Sequence, residues 1–252
     1  MGSFSRGYAE IYDLLYYAKD YEGEADVIEK VIRQHTPAAR KILDYGCGTG
    51  NHAKALALRG YELFGVDKSE NTLEVARQKL KDRTDVHLFH ADERDAVGPG
   101  SIDVCITLFD VLSYMNANDE IIAFLDYVRN VLKDRGLMIF DFWYGPGVIH
   151  LRPEKRWKEY VVGERKILRL TTPEHDDLNC VVSVKHEILM SEKDRIINRM
   201  IDTHTMRYFF KNEIFLFLKC CGFEVLHFGT WEDLYATPGN TAWSALVVAQ
   251  KV

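Results

Sequence analysis

At 252 residues, 47% hydrophobic and 28% charged, the chain has the makeup of a globular protein: one large α/β unit, or one domain carrying an insertion. Thirty-two Lys and Arg against 38 Asp and Glu leave a net charge of −6, which argues against a protein held on nucleic acid by basic excess. No run approaches the ~20 apolar residues of a membrane span. The opening residues lack a signal-peptide core, and Arg6 stands where myristoylation at Gly2 wants Ser or Thr. Cys47, Cys105, Cys180, Cys220 and Cys221 are odd in number and scattered, so a reducing cytoplasm is expected. The nine His show no metal-ligand spacing, and no metal is expected.

In chain order, Tyr8, Tyr12, Leu15 and Tyr16 form one face of an amphipathic helix. Val27, Ile28, Val31 and Ile32 predict a helix over Ala25–His35, ending before Pro37. Lys41–Gly46 reads as a strand, His52–Arg59 as a helix and Tyr61–Asp67 as a strand. Glu70–Lys81 is a helix capped by Ser69. Val86–Asp92 and Asp103–Leu112 are further strands, Asn118–Leu132 a helix, and Leu137–Trp143 a strand after the turn Asp134-Arg135-Gly136. Strands alternating with helices imply a parallel sheet. From Lys155 to Tyr208 the pattern changes to β-rich runs over Val161–Leu170, Cys180–Met190 and Ile196–Arg207, separated at Pro173–Asp177 and Ser191–Asp194. These predict antiparallel hairpins inserted into the body. Lys211–Cys221 returns to helical spacing with Gly222 as its cap, and Phe223–Trp231 and Ala242–Gln250 close the chain as strands.

The chemistry concentrates in Leu43-Asp44-Tyr45-Gly46-Cys47-Gly48-Thr49-Gly50-Asn51, where glycines at alternate positions follow an apolar strand and precede a helix. Without Cβ atoms the backbone turns sharply and admits a ligand close by. Asn51 stands where a dinucleotide fingerprint needs its third glycine, and there is no G-K-[ST], so a pyrophosphate cradle is disfavoured. Asp44, Asp67 and Asp92 are expected at the carboxyl ends of three successive strands, lining one crevice. A ligand with an amine, a ribose and an adenine edge but no phosphates fits them: S-adenosylmethionine.

On these residues, with Gly65-Val66-Asp67-Lys68-Ser69, Ala91-Asp92-Glu93-Arg94-Asp95 and the strand Leu137–Phe142, the sequence resembles the class I S-adenosylmethionine-dependent methyltransferases. The resemblance covers residues 38–145 and the two closing strands. It implies a Rossmann-like α/β sheet, mostly parallel with an antiparallel last strand, helices on both faces, and an inserted antiparallel β subdomain. It also implies that Gly46, Gly48 and Gly50 approach the cofactor's methionine part, that Asp67 with neighbouring Lys68 holds the ribose, and that Asp92 with the Glu93 backbone holds adenine.

The opening Phe4-Ser5-Arg6-Gly7-Tyr8-Ala9-Glu10-Ile11-Tyr12-Asp13, with Lys19-Asp20-Tyr21, is similar to bacterial nucleotide-linked aminosugar N-methyltransferases. This second resemblance implies a helical lid over residues 1–37, a cofactor-binding core over 38–150, a substrate-side insertion over 151–208 and a closing helix and strands over 209–252. Tyr12 and Tyr21 would lie beside the cofactor's methionine end, and Tyr8, Trp143 and Tyr144 would face the acceptor; core packing is the competing reading for each aromatic. In that group a His faces the acceptor amine in the segment matching Leu112-Ser113-Tyr114-Met115, and here Tyr114 takes its place. Tyr114, with Tyr12 as a positioning group, is therefore the catalytic candidate, although a phenol is a poorer base than imidazole. A nucleotide-sugar acceptor carries a pyrophosphate, which Arg152 and Arg156 would meet, with Arg165, Lys166 and Arg169 following. The expected partner is thus a small-molecule acceptor, without nucleic acid or membrane, and exposed insertion edges allow a homodimer. Methylation of another amine or a hydroxyl on a metabolite, and a non-catalytic protein on the same fold, are the alternatives.

Overall fold

A computed structural model describes residues 6–193 and 195–252, apart from the side chain of Val162. Gly2, Phe4, Ser5 and Asp194, used in the sequence reading, lie outside the described residues. Eleven strands and seven α-helices are found among the described residues. Strands β1 (Lys41–Tyr45), β2 (Glu62–Asp67), β3 (Val86–His90), β4 (Ile102–Thr107), β5 (Leu132–Trp143), β10 (Phe223–Gly229) and β11 (Ser244–Lys251) form one sheet in the order β10-β11-β5-β4-β1-β2-β3. Pairing is parallel from β3 to β5, while β11 runs antiparallel to both β5 and β10. The expected α/β sheet with its antiparallel last strand is present.

Apolar side chains alternate onto both faces of this sheet. Leu43, Cys105, Met138 and Phe140 pack under helices α5 (Asn118–Val131) and α7 (Lys211–Cys220). Ile42, Val104, Ile139 and Val248 pack under α2 (Tyr21–His35) and α3 (Asn51–Ala57). Two buried layers around one sheet leave its strand ends as the place for a ligand.

Several elements differ from the sequence reading for local reasons. Helix α2 begins at Tyr21 instead of Ala25, because Asp20 caps it, accepting from the Gly23 N–H at 2.9 Å. Apolar periodicity reported only the packed part. Helix α4 (Glu70–Lys79) starts on the expected Ser69 cap. Strand β3 stops at His90, and residues Ala91–Ala96 form a 3₁₀ turn closed by Glu93 accepting from the His90 N–H at 3.2 Å. Strand β4 stops at Thr107 instead of Leu112: Phe109 and Asp110 take left-handed φ of 65° and 60°, and Val111–Tyr114 is a 3₁₀ turn. Helix α6 (Gly145–Leu151) was not anticipated, although Pro146 in its first turn was a usable signal.

The inserted sheet has the order β6-β7-β8-β9, all antiparallel: β6 (Arg156–Val162), β7 (Arg165–Asp176), β8 (Val181–Glu192) and β9 (Arg195–Arg207). The single run expected at Val161–Leu170 is instead a hairpin, reversed at Gly163 with φ of 62°. Pro173, expected in a turn, lies within β7 beyond the reach of β6, which ends its pairing at Thr171. Helix α1 (Arg6–Leu15) packs Tyr8, Ile11 and Leu15 against Tyr160, Ile167, Ile188 and Met190 of this sheet. The N-terminal helix therefore joins the insertion to the body.

Candidate active site

Strand order reverses beside β1, whose neighbours β2 and β4 lead away on opposite sides, and ligands of open α/β sheets bind at such a point. A cavity of about 760 Å³ opens there, within the range of small-molecule sites. Its floor is the glycine loop and the ends of β2, β4 and β5; its walls are α1 and the inserted sheet.

The loop follows from its backbone. Gly46, Gly48 and Gly50 have φ of 85°, 54° and 77°, a region L side chains rarely adopt. Gly46 and Cys47 donate to the Val66 carbonyl at 2.7 and 3.1 Å, which ties the turn to β2. A Cβ on Gly46 would lie 2.6 Å from Val111 Cγ1, whereas one on Gly48 would meet nothing within 4 Å. Gly46 is thus a packing requirement and Gly48 a conformational one.

Asp67, at the end of β2, faces the cavity with its carboxylate already oriented. Oδ2 accepts from the Gly48 N–H at 2.8 Å; Oδ1 accepts from the Ser69 N–H at 2.8 Å and the Thr72 hydroxyl at 3.3 Å. Burial raises its pKa, and these three donors act against that rise. A carboxylate has about four lone-pair sites, so acceptor capacity remains on Oδ2 for a hydroxyl.

The far side of the loop carries a second carboxylate. Asp13 of α1 accepts from Thr49 Oγ1 at 2.7 Å and Asn51 Nδ2 at 2.9 Å, and pairs with Lys79 at 2.7 Å. Polar groups that would otherwise meet a phosphate are committed to this anion. With Asp13 and Asp67 on two sides, the loop repels a pyrophosphate and favours a cation such as a sulfonium. The residues present fit an adenosyl sulfonium.

Residues 42–136 match the family model described as a methyltransferase domain. The chain is 28% identical over 247 residues to YqeM of Bacillus subtilis (strain 168), covering 98% of this chain and 96% of that one. It is 30% identical over 141 residues to a dTDP-3-amino-3,4,6-trideoxy-alpha-D-glucopyranose N,N-dimethyltransferase of Streptomyces venezuelae, covering 55% of this chain and 58% of the relative. Its fold matches that of SAM-bound CalS10, an amino pentose methyltransferase from Micromonospora echinaspora, at a TM-score of 0.77 and 20% identity, over 100% of this chain and 99% of that one.

This chain is an S-adenosylmethionine-dependent methyltransferase.

Within the methyltransferase, Tyr8, Tyr12, Tyr21, Gly46, Gly48, Asp67, Lys68, Tyr114, Trp143 and Arg156 all line the cavity. The remaining site residues expected from sequence lie elsewhere, each for a visible reason. Asp44 lies beneath the loop, 2% exposed, with no hydrogen-bond partner for Oδ2 among the described residues. Burial, with the nearby Asp67 charge, pushes its pKa up to about 6, against the lowering effect of His52. Gly50 caps α3 and packs toward Leu80 and Ala76. Because β3 ends early, Asp92 points outward with its side chain 92% exposed, and Ala91 and Arg94 line the cavity where Asp92 and the Glu93 backbone were expected. Tyr144 is buried against Phe228, and Arg152 pairs with Asp177 at 2.6 Å on the surface.

The methyltransferase cavity also holds two acids that the sequence reading did not assign to it. Asp110, in the turn after β4, and Asp141, near the end of β5, lie side by side: the Asp110 N–H donates to Asp141 Oδ1 at 2.8 Å, and Trp231 Nε1 donates to Asp141 Oδ2 at 3.0 Å. Burial raises both pKa values, and the Asp141 charge raises Asp110 further. An acid between Phe140 and Phe142 was the available signal for Asp141. Arg169 enters beside Arg156, its guanidinium over the Tyr16 and Tyr160 rings. His186 and His204 arrive from β8 and β9, and a register across two strands leaves no short sequence spacing to find.

Proposed function

We propose that this methyltransferase transfers a methyl group to an amino group of a nucleotide-linked sugar. The observation that carries this reading is one continuous cavity with two chemically different linings. The body contributes the glycine loop and Asp67, and the insertion contributes Arg156 and Arg169 among aromatic rings. Relatives named as sugar N,N-dimethyltransferases support it over 55–57% of the chain.

In this reading Asp67 accepts the ribose hydroxyls, and the backbone at Gly46 and Gly48 lies against the methionine part. Lys68 flanks the ribose side, and Tyr12 and Tyr21 cover the methionine end from above. When bound, S-adenosylmethionine supplies a methyl group on sulfur that already has a good leaving group. The protein's task is therefore alignment and exclusion of water. Helix α1 and the turn after it perform both: Tyr12 and Tyr16 meet with tilted rings at 4.8 Å and Tyr16 meets Phe109 at 5.0 Å, roofing the cavity with aromatic surface. Trp143, in contact with Trp243 at 4.9 Å, walls the acceptor end beside Tyr8. Arg156 and Arg169 would pair with the acceptor's phosphates, and guanidinium is the group best shaped for that task.

The test is calorimetry with S-adenosylmethionine, then labelled-methyl transfer to a panel of thymidine-diphosphate aminosugars. Replacing Asp67 by Asn should weaken cofactor binding roughly tenfold or more, the scale of a lost charged hydrogen bond. Methylation of other small molecules with none of the aminosugars would overturn the acceptor assignment and leave the enzyme class intact.

A further inference from the structure

The Tyr114 hydroxyl lies 2.8 Å from His204 Nδ1, linking the turn after β4 to the inserted sheet across the cavity. Both side chains are largely buried, and both rings belong to an aromatic cluster: His204 meets Tyr8 at 5.5 Å and His186 at 5.3 Å. Behind it, His186 Nδ1 lies 3.0 Å from the Thr171 hydroxyl. A phenol is the better hydrogen donor of the two and an imidazole nitrogen the better acceptor, so the proton of this bond belongs on oxygen.

We propose that His204 is a positioning residue that accepts a hydrogen bond from the Tyr114 hydroxyl, so that the phenol's lone pairs face the cavity and receive an N–H of the acceptor amine. The proposal rests on the methyl-transfer reading above and deepens it, because it assigns the acceptor atom as nitrogen. A neutral amine already has the lone pair that attacks carbon, and an N–H held by Tyr114 aims that lone pair away from the phenol. An alcohol must instead give up its proton as it attacks, which needs a strong base. Burial lowers the His204 pKa, as do the Arg169 and Lys68 charges, with Asp202 acting against them, while burial raises Tyr114 well above its ordinary value. The pair is therefore neutral around pH 7 and too weak a base for a hydroxyl. His186, held neutral by burial and by His204, and Tyr8, whose pKa is also raised by burial, add no base to that wall.

Nitrogen NMR of the wild-type protein reads the arrangement without turnover: His204 should carry its proton on Nε2 across neutral pH, and a protonated Nδ1 would overturn the proposal. Turnover is then measured with a thymidine-diphosphate 3-aminosugar and its 3-hydroxy counterpart. Tyr114→Phe and His204→Leu should each lower kcat/KM for the amine at least about tenfold, the scale of one lost buried hydrogen bond, with cofactor affinity retained. His204→Gln, whose amide oxygen accepts the same hydrogen, should recover most of the loss. The rise of kcat/KM with pH should follow the substrate amine in wild type and His204→Gln alike. Amine turnover unaffected by Tyr114→Phe, equal use of the hydroxy sugar, or a pH limb that vanishes in His204→Gln would each overturn the proposal while leaving the methyltransferase reading in place. Cofactor binding without transfer to any amine would overturn the acceptor reading, and this assignment with it.

Discussion

The Asp13 carboxylate accepts the Thr49 hydroxyl at 2.7 Å, so the first helix is latched directly onto the glycine loop. Asn51 and Lys79 complete the latch, and α1 in turn carries the tyrosines that roof the cavity. The roof and the loop are therefore tied together through one carboxylate.

Burial alone would raise the Asp13 pKa, but hydrogen bonds from Lys79, Thr49 and Asn51 hold it below the usual carboxylate range. The latch's stabilisation is accordingly complete above about pH 4, the unfolded-state value, and is lost as pH falls through the lower folded-state value. Asp13→Ala should cost about 1 kcal/mol, reduced because the side chain is part-exposed, and should weaken cofactor binding. Hydrogen exchange should show faster exchange in Arg6–Leu15 for the variant, and unchanged exchange there would disprove the latch.

Asp44 gives the opposite sign. Its folded-state pKa of about 6 lies above the unfolded value, so the folded protein holds a proton more tightly between roughly pH 4 and 6. Stability from this group falls as pH rises through that window, and the full penalty applies above it. Asp44→Asn should gain about 2–3 kcal/mol at pH 8 relative to its effect at pH 4, since one pKa unit is about 1.4 kcal/mol. Urea unfolding at both pH values measures the difference, and equal shifts at both would refute it.

Gly46 and Gly48 share a left-handed backbone but differ in surroundings. Gly48→Ala should cost only the conformational term, about 1–2 kcal/mol. Gly46→Ala adds the clash with Val111 and should cost roughly 3 kcal/mol or more in thermal or urea unfolding.

Arg156 and Arg169 approach the cavity from neighbouring strands of the insertion. Arg156→Ala and Arg169→Ala should raise KM for a nucleotide-sugar acceptor roughly tenfold each, with kcat and cofactor affinity little changed. Added salt should weaken acceptor binding in wild type more than in the variants. Equal salt sensitivity would exclude a phosphate role.

Local chemistry in the chain determined the sheet, the glycine loop and Asp67, because strand periodicity and a bend that only glycine tolerates are written in adjacent residues. The same reasoning placed Asp44 and Asp92 in the crevice, whereas burial and outward orientation take their carboxylates elsewhere. Those outcomes depend on where a strand stops and which way its last side chain faces, and composition carries no record of either. Tertiary structure alone brought His204 to Tyr114, 90 residues away, and Asp13 to Thr49, 36 residues away. Each contact joins a wall of the cavity to its floor, and its geometry exists only after two separately folded elements have packed against each other.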